Sequence, residues 1–149
     1  MEGAHFILFV HDQAVASGFY SRVLAARPTL DVPNMTEFTL PGGAILGLMP
    51  AAAIQRLLGE ALPNPAAAAG TPRSELYLVV DDPESFHQRA LRSGARELSP
   101  LAPRGWGHVA AYSLDLDSHV LAFARPATAT ATDATMAAAA AERKNVEAP

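Results

Sequence analysis

The chain has 149 residues and a formal net charge of -4 at pH 7, a size for one domain with a tail and a balance that gives nucleic acid no overall basic footprint. It contains no cysteine, and its single lysine is Lys144. Thiolate nucleophiles, disulfides, Cys-ligated zinc and iron–sulfur clusters are therefore excluded, and a Schiff-base or phosphate-loop lysine has no place to come from but the C-terminus. Chemistry must come from histidine, carboxylates, hydroxyls or a cofactor. Met1 to Ala4 carry no basic region, and the apolar run Phe6 to Val10 is too short for a signal peptide or a membrane span. The expectation is a soluble, cytoplasmic protein without a membrane or nucleic-acid partner.

Two halves of the chain answer each other. His5 to Val10 is a β-rich apolar run followed by His11-Asp12 and a helix expected from about Gln13 to Ala26. Glu75 to Val80 is a similar run followed by Asp81-Asp82 and a helix expected from about Pro83 to Ser93. Asp12 and Asp82 stand where an N-cap belongs, and Pro83 takes the first helical position, where a missing N–H costs nothing. Val15, Phe19 and Val23, with Ala16, Tyr20 and Leu24, form an apolar helical stripe.

Three strand candidates follow each helix. In the first half they lie near Thr29 to Val32, Met35 to Leu40 and Ala44 to Met49, with Pro41-Gly42-Gly43 as a hairpin turn. In the second half they lie near Arg96 to Ser99, His108 to Ser113 and Val120 to Ala124, with Asp115 to Ser118 supplying turn chemistry. The pattern is βαβββ twice, an α+β architecture. Module one spans 4–50, a linker with a short helix from Ala51 to Ala61 spans 51–73, and module two spans 74–126. Together they make a domain of residues 1–126; residues 127–149, rich in Ala and Thr, read as a low-complexity tail that is disordered or a marginal helix.

With this repeat in hand, the sequence resembles the vicinal oxygen chelate superfamily of glyoxalases, bleomycin-resistance proteins and extradiol dioxygenases. The residues that carry the resemblance are His5 through Asp12, the Phe19-Tyr20 and Val23-Leu24 pairs, Leu76 to Asp82, Trp106-Gly107, and Asp115-x-Asp117-x-His119-Val120-Leu121. It implies two modules whose mixed sheets curl into a cup with the helices outside, and a homodimer. It also places the family's metal ligands at the first and fourth strand of each module, here His5, Gly47, Glu75 and Ala122. Only His5 and Glu75 can bind a divalent metal, one ligand short of the usual catalytic set; His108 or Glu37 are the candidates for a third.

Strand alternation puts Phe6, Leu8, Val10, Leu46, Leu48, Leu76, Leu78, Leu121 and Phe123 toward the helices. The opposite faces carry His5, Ile7, Phe9, Gly47, Met49, Glu75, Tyr77 and Ala122, an apolar cup suited to a small molecule. Gly47 and Ala122 are expected to add room there and to favour an organic ligand over an ion. Glu75 either reaches solvent or pairs with Arg73 or Arg104, or else it faces the cup as a contact for a cationic group or as a general base, the one catalytic candidate. His5 is either a hydrogen-bonded structural residue or a cup residue. Trp106 either stacks on a planar ligand from its Gly-flanked loop or packs a dimer interface; Phe38, Tyr77 and Tyr112 complete an aromatic lining or belong to the core. His11 and His87 are expected to be solvated, and His119 to support its turn. The leading expectation is a small-molecule-binding protein that works without a metal or other cofactor. The alternatives are a metal-dependent lyase, isomerase or dioxygenase using His5 and Glu75, and a catalytically silent protein-interaction module.

Overall fold

A computed structural model describes residues 2–128. The chain runs β1 (His5–Val10), α1 (Gln13–Leu24), β2 (Leu30–Val32), β3 (Met35–Thr39), β4 (Ile45–Pro50), α2 (Ala51–Leu58), β5 (Glu75–Val79), α3 (Pro83–Arg92), β6 (Arg96–Pro103), β7 (His108–Leu114) and β8 (Val120–Pro126). Short 3-10 turns occupy Pro41–Gly43, Gly59–Ala61 and Pro65–Ala68. The strands form two four-stranded mixed sheets with equivalent orders, β1-β4-β3-β2 and β5-β8-β7-β6. In each, the first strand runs parallel to the last and the remaining neighbours are antiparallel. The fold is α+β with helices on one side of each sheet, and neither sheet closes into a barrel. The low-complexity segment from residue 129 onward lies outside the described residues.

Local chemistry explains where the elements begin and end. The Asp12 carboxylate accepts from the Val15 N–H at 2.9 Å, and that of Asp82 from the Ser85 N–H at 3.1 Å, so both helices start on a capped turn. α1 stops at Leu24, two residues before the expected end, because Ala25 adopts the left-handed region at φ 50°. Gly42 and Gly43, at φ 84° and 85°, reverse the chain between β3 and β4 in a conformation that side chains resist. β6 runs to Pro103, well past the expected Ser99, with register shifts around Ser99. An edge strand can carry Pro100 and Pro103 because its outer N–H groups owe no ladder bond.

One core joins both modules. Val10, Phe19, Tyr20, Val23, Phe38, Leu46, Leu48, Leu121 and Phe123 are buried in a single cluster. Each such side chain contributes about 1.5–3 kcal/mol by leaving water. The alternation argument holds for Leu8, Val10, Leu46, Leu48, Leu121 and Phe123 and fails at Phe6, which is 60% exposed; it has the right parity but lies at the start of β1, two residues short of Leu8, where burial begins. Two further expectations are corrected. Phe38 is not part of a cup lining, since it pairs with Leu46 in register and is buried on the helix side. His87 is not solvated: α3 turns it inward beside the Phe123 ring, and its Nε2 meets Glu97 Oε2 at 2.9 Å. The helix stripe of α3 is thin in large apolar residues, so a histidine completes it.

Candidate functional site

On the inner face of the first sheet, β1 and β3 flank β4, and the register sets Ile7 and Glu37 on either side of Gly47. His5 Nδ1 lies 3.3 Å from Glu37 Oε1, with the imidazole about half exposed. His5 therefore has a carboxylate partner, but it is Glu37 and not Glu75. Gly47 does not add room: a Cβ built there would collide with Ile7 Cδ1 and lie 3.4 Å from Met35 Sδ. The volume that a longer side chain would fill is already taken by Ile7. Ala122 is likewise covered, fully buried between Tyr77 on β5 and Tyr112 on β7. The expectation of free space at these two positions is thus overturned, because neighbouring side chains close over a short one. Phe9 and Met49 follow Ile7 and Gly47 along the same face, opposite each other in register.

The inner face of the second sheet is aromatic. The Tyr77 hydroxyl is hydrogen-bonded to His108 Nδ1 at 2.8 Å and accepts the indole N–H of Trp106 at 3.1 Å. The Tyr77 and His108 rings are tilted by 30° with centroids 5.9 Å apart. Trp106 is held by its edge while remaining 61% exposed. Beside this group the Arg104 guanidinium sits 4.9 Å above the Tyr112 ring and donates to the carbonyl of Ala110 and the hydroxyl of Ser99. Arg104 is therefore committed to a cation–π contact and to backbone. Glu75 is exposed, with no ion-pair or hydrogen-bond partner among the described residues, so neither Arg73 nor Arg104 neutralises it. Burial pushes the Tyr112 hydroxyl pKa up, and the negative charge of Glu75 pushes it further. Tyr77, Trp106 and His108 thus form one contacting group, and Tyr112 stands across Ala122 from Tyr77 with the Glu75 charge within reach of its hydroxyl.

Within one copy of the chain the candidate metal ligands do not come together among the described residues. His5 and Glu37 share the first sheet while Glu75 belongs to the second, and no group of three His, Cys, Asp or Glu among the described residues is placed to hold an ion. The positions that would supply further carboxylates are Gly47, with Ile7 across it, and the buried Ala122.

At the seam of the modules, a cavity of about 540 Å³ lies along the outer edge of β1, roofed by the linker and by the β7–β8 turn. Of the expected site residues only Ile7 and Phe9 line it; Arg73, Asp117 and His119 join them. Sequence reasoning missed this convergence because it depends on how the linker folds back. The one signal was the Asp115-x-Asp117-x-His119 spacing, which reads as turn chemistry. That reading holds too: Asp115 Oδ1 accepts the N–H groups of Asp117 and His119, at 2.9 and 2.7 Å.

Comparison with known proteins agrees with this fold. A glyoxalase-related enzyme from Fulvimarina pelagi superposes with a TM-score of 0.70 at 20% identity, covering 84% of this chain and 88% of that one. A glyoxalase/bleomycin resistance protein/dioxygenase family enzyme from Burkholderia phytofirmans PsJN gives 0.70 at 17%, with 83% and 97% covered. A glyoxalase/bleomycin resistance protein/dioxygenase from Nocardioides gives 0.68 at 18%, with 85% and 84% covered. At these identities the likeness is one of fold. No curated protein sequence matches the chain. No described helix is long and apolar enough to cross a membrane. The family model for the Glyoxalase/Bleomycin resistance protein/Dioxygenase superfamily matches residues 4–123, and the chain belongs to that superfamily.

Proposed function

We propose that the protein binds a planar, largely apolar organic molecule, preferentially a cationic one, against the aromatic wall of the second sheet, and does so without a metal ion. The observation that carries this reading is the exposed Trp106, pinned through its indole N–H to Tyr77, on a face whose other end, near Tyr112, carries Glu75 with no partner among the described residues. An aromatic plate held at one edge offers its face for stacking at little entropic cost, and a free carboxylate favours positive charge. Superfamily membership supports a small-molecule role and leaves the ligand open. A cytoplasmic homodimer is part of the same proposal.

Titration of Trp106 fluorescence with matched planar cations and neutral aromatics tests this. Quenching by the cations is expected, weakened about threefold by Glu75→Gln and unchanged for the neutral compounds. A flat response across the panel removes the proposal. So does stoichiometric binding of Mn, Fe, Ni or Zn ions that is abolished by His5→Ala or Glu75→Ala, which would establish the metal-dependent alternative.

A further inference from the structure

The seam cavity carries a second, independent inference. Its β7–β8 turn is built around Asp115, whose Oδ2 accepts the Tyr20 hydroxyl at 2.6 Å and meets His119 Nδ1 at 2.9 Å. Burial pushes the Asp115 pKa up, but the hydrogen bonds from His119 and the Tyr20 hydroxyl, with the charge an imidazole carries in the acid range where a carboxyl titrates, outweigh it, and the net shift is downward. An ionised carboxylate can only accept, so His119 carries its proton on Nδ1, and in the neutral ring Nε2 is an acceptor. His119 lines the cavity with its side chain largely buried, and Nε2 has no partner among the described residues. Asp117 lines the same space; its Oδ1 takes the His11 N–H at 2.7 Å. Arg73 lines it from the linker and has no carboxylate within ion-pair distance among the described residues. Ile7 and Phe9 supply an apolar wall.

Two acceptors, one free guanidinium and an apolar wall in one cavity are the complement of a zwitterion with a hydrocarbon body. We propose that the seam cavity is a binding site for an α-amino acid with an apolar side chain: its carboxylate pairs with Arg73, its ammonium donates to His119 Nε2 and Asp117, and its side chain lies against Ile7 and Phe9. The volume of about 540 Å³ is within the usual range for small-molecule sites and accommodates an aromatic amino acid with water to spare. Asp115 is a positioning residue here, holding the His119 tautomer.

The test uses the full chain and three probes, L-phenylalanine, 3-phenylpropionate and phenethylamine, which share a hydrocarbon body and differ only in the charged groups. Calorimetric titration should show phenylalanine binding at least about tenfold more tightly than either of the others, because each lacks one charge-assisted contact. Arg73→Met should weaken phenylalanine about tenfold and leave phenethylamine unchanged. Asp117→Asn, which keeps the acceptor used by His11, should weaken phenylalanine and leave phenylpropionate unchanged or improved. In parallel, the imidazole ¹⁵N signals of His119 should shift with phenylalanine while Trp106 fluorescence stays constant. Equal binding of the three probes, or affinity that survives Arg73→Met, overturns the inference. Binding that quenches Trp106 and leaves the His119 signals still also overturns it while sparing the aromatic-wall reading.

Discussion

A carboxylate is worth most where every lone pair is used, and Asp115 is the residue that meets this condition. Its two oxygens take the Tyr20 hydroxyl, the His119 ring and two backbone N–H groups, so it caps the turn and ties α1 to the second module. Because its folded pKa lies below the ordinary carboxylate value, it adds stability above that value, and this is lost as pH falls through the folded value. Asp117 is shifted the other way, raised chiefly by burial. Its favourable contribution is present only below the unfolded pKa of 3.8 and is lost as pH rises through the folded value, so at neutral pH it costs stability. Urea unfolding should therefore show Asp117→Asn more stable than the native chain at pH 7 and no more stable in strong acid. Tyr20→Phe should lose about 1–3 kcal/mol at pH 7, since it strips a buried acceptor of its donor. If Tyr20→Phe unfolds at the same urea concentration as the native chain, Asp115 does not have the role assigned to it.

At the scale of the elements, strand parity was readable and occupancy was not. Alternation along β4, β5 and β8 sorted Leu46, Leu48, Leu121 and Phe123 to the helix side and Gly47, Tyr77 and Ala122 to the inner face, because a period of two follows from backbone geometry alone. In the sequence Phe38 reads as one more strand aromatic, because nothing local places it opposite Leu46; in the β3–β4 register Glu37 and not Phe38 faces inward. The meaning of Gly47 could not be read at all, since it depends on the Ile7 rotamer across the strand. Gly47→Ala should displace the Ile7 terminal methyl, not the backbone, and cost less than about 1 kcal/mol, and adding Ile7→Ala in the same chain should remove that cost. A thermal melt of the double variant below that of Ile7→Ala alone by the full single-variant difference would mean that the two positions do not meet. His87 shows the same limit on α3: a charged-looking helix position turned inward because the packing of α3 on β8 demanded a filler there.

For the whole molecule, the question is why two similar modules make one body. The bonds that cross between them leave from α1 and its flanks: Tyr20 to Asp115, Arg22 Nε to the Ser93 hydroxyl at 3.2 Å, the Val23 carbonyl to Arg89 Nε at 3.1 Å, and the His11 N–H to Asp117. With the core cluster also shared, neither module can bury its helix face alone. Unfolding is therefore expected as a single cooperative transition with coincident fluorescence and circular-dichroism midpoints, and a fragment of residues 1–73 should remain unfolded. Two separated transitions, or a folded fragment, would show that the modules are independent.

The sequence by itself determined the repeat, the capped helices, the strand faces and the family, because these depend on local propensity and on periods imposed by the backbone. It also bounded the chemistry, since absent cysteines stay absent in any fold. Tertiary structure decided which groups meet. It paired His5 with Glu37, left Glu75 and Arg73 without ion-pair partners among the described residues, filled the space at Gly47, and brought the linker over the β1 edge to close a cavity on His119. Those outcomes turn on register between strands, on rotamers and on the path of a linker of small residues, none of which has a period that a sequence can display.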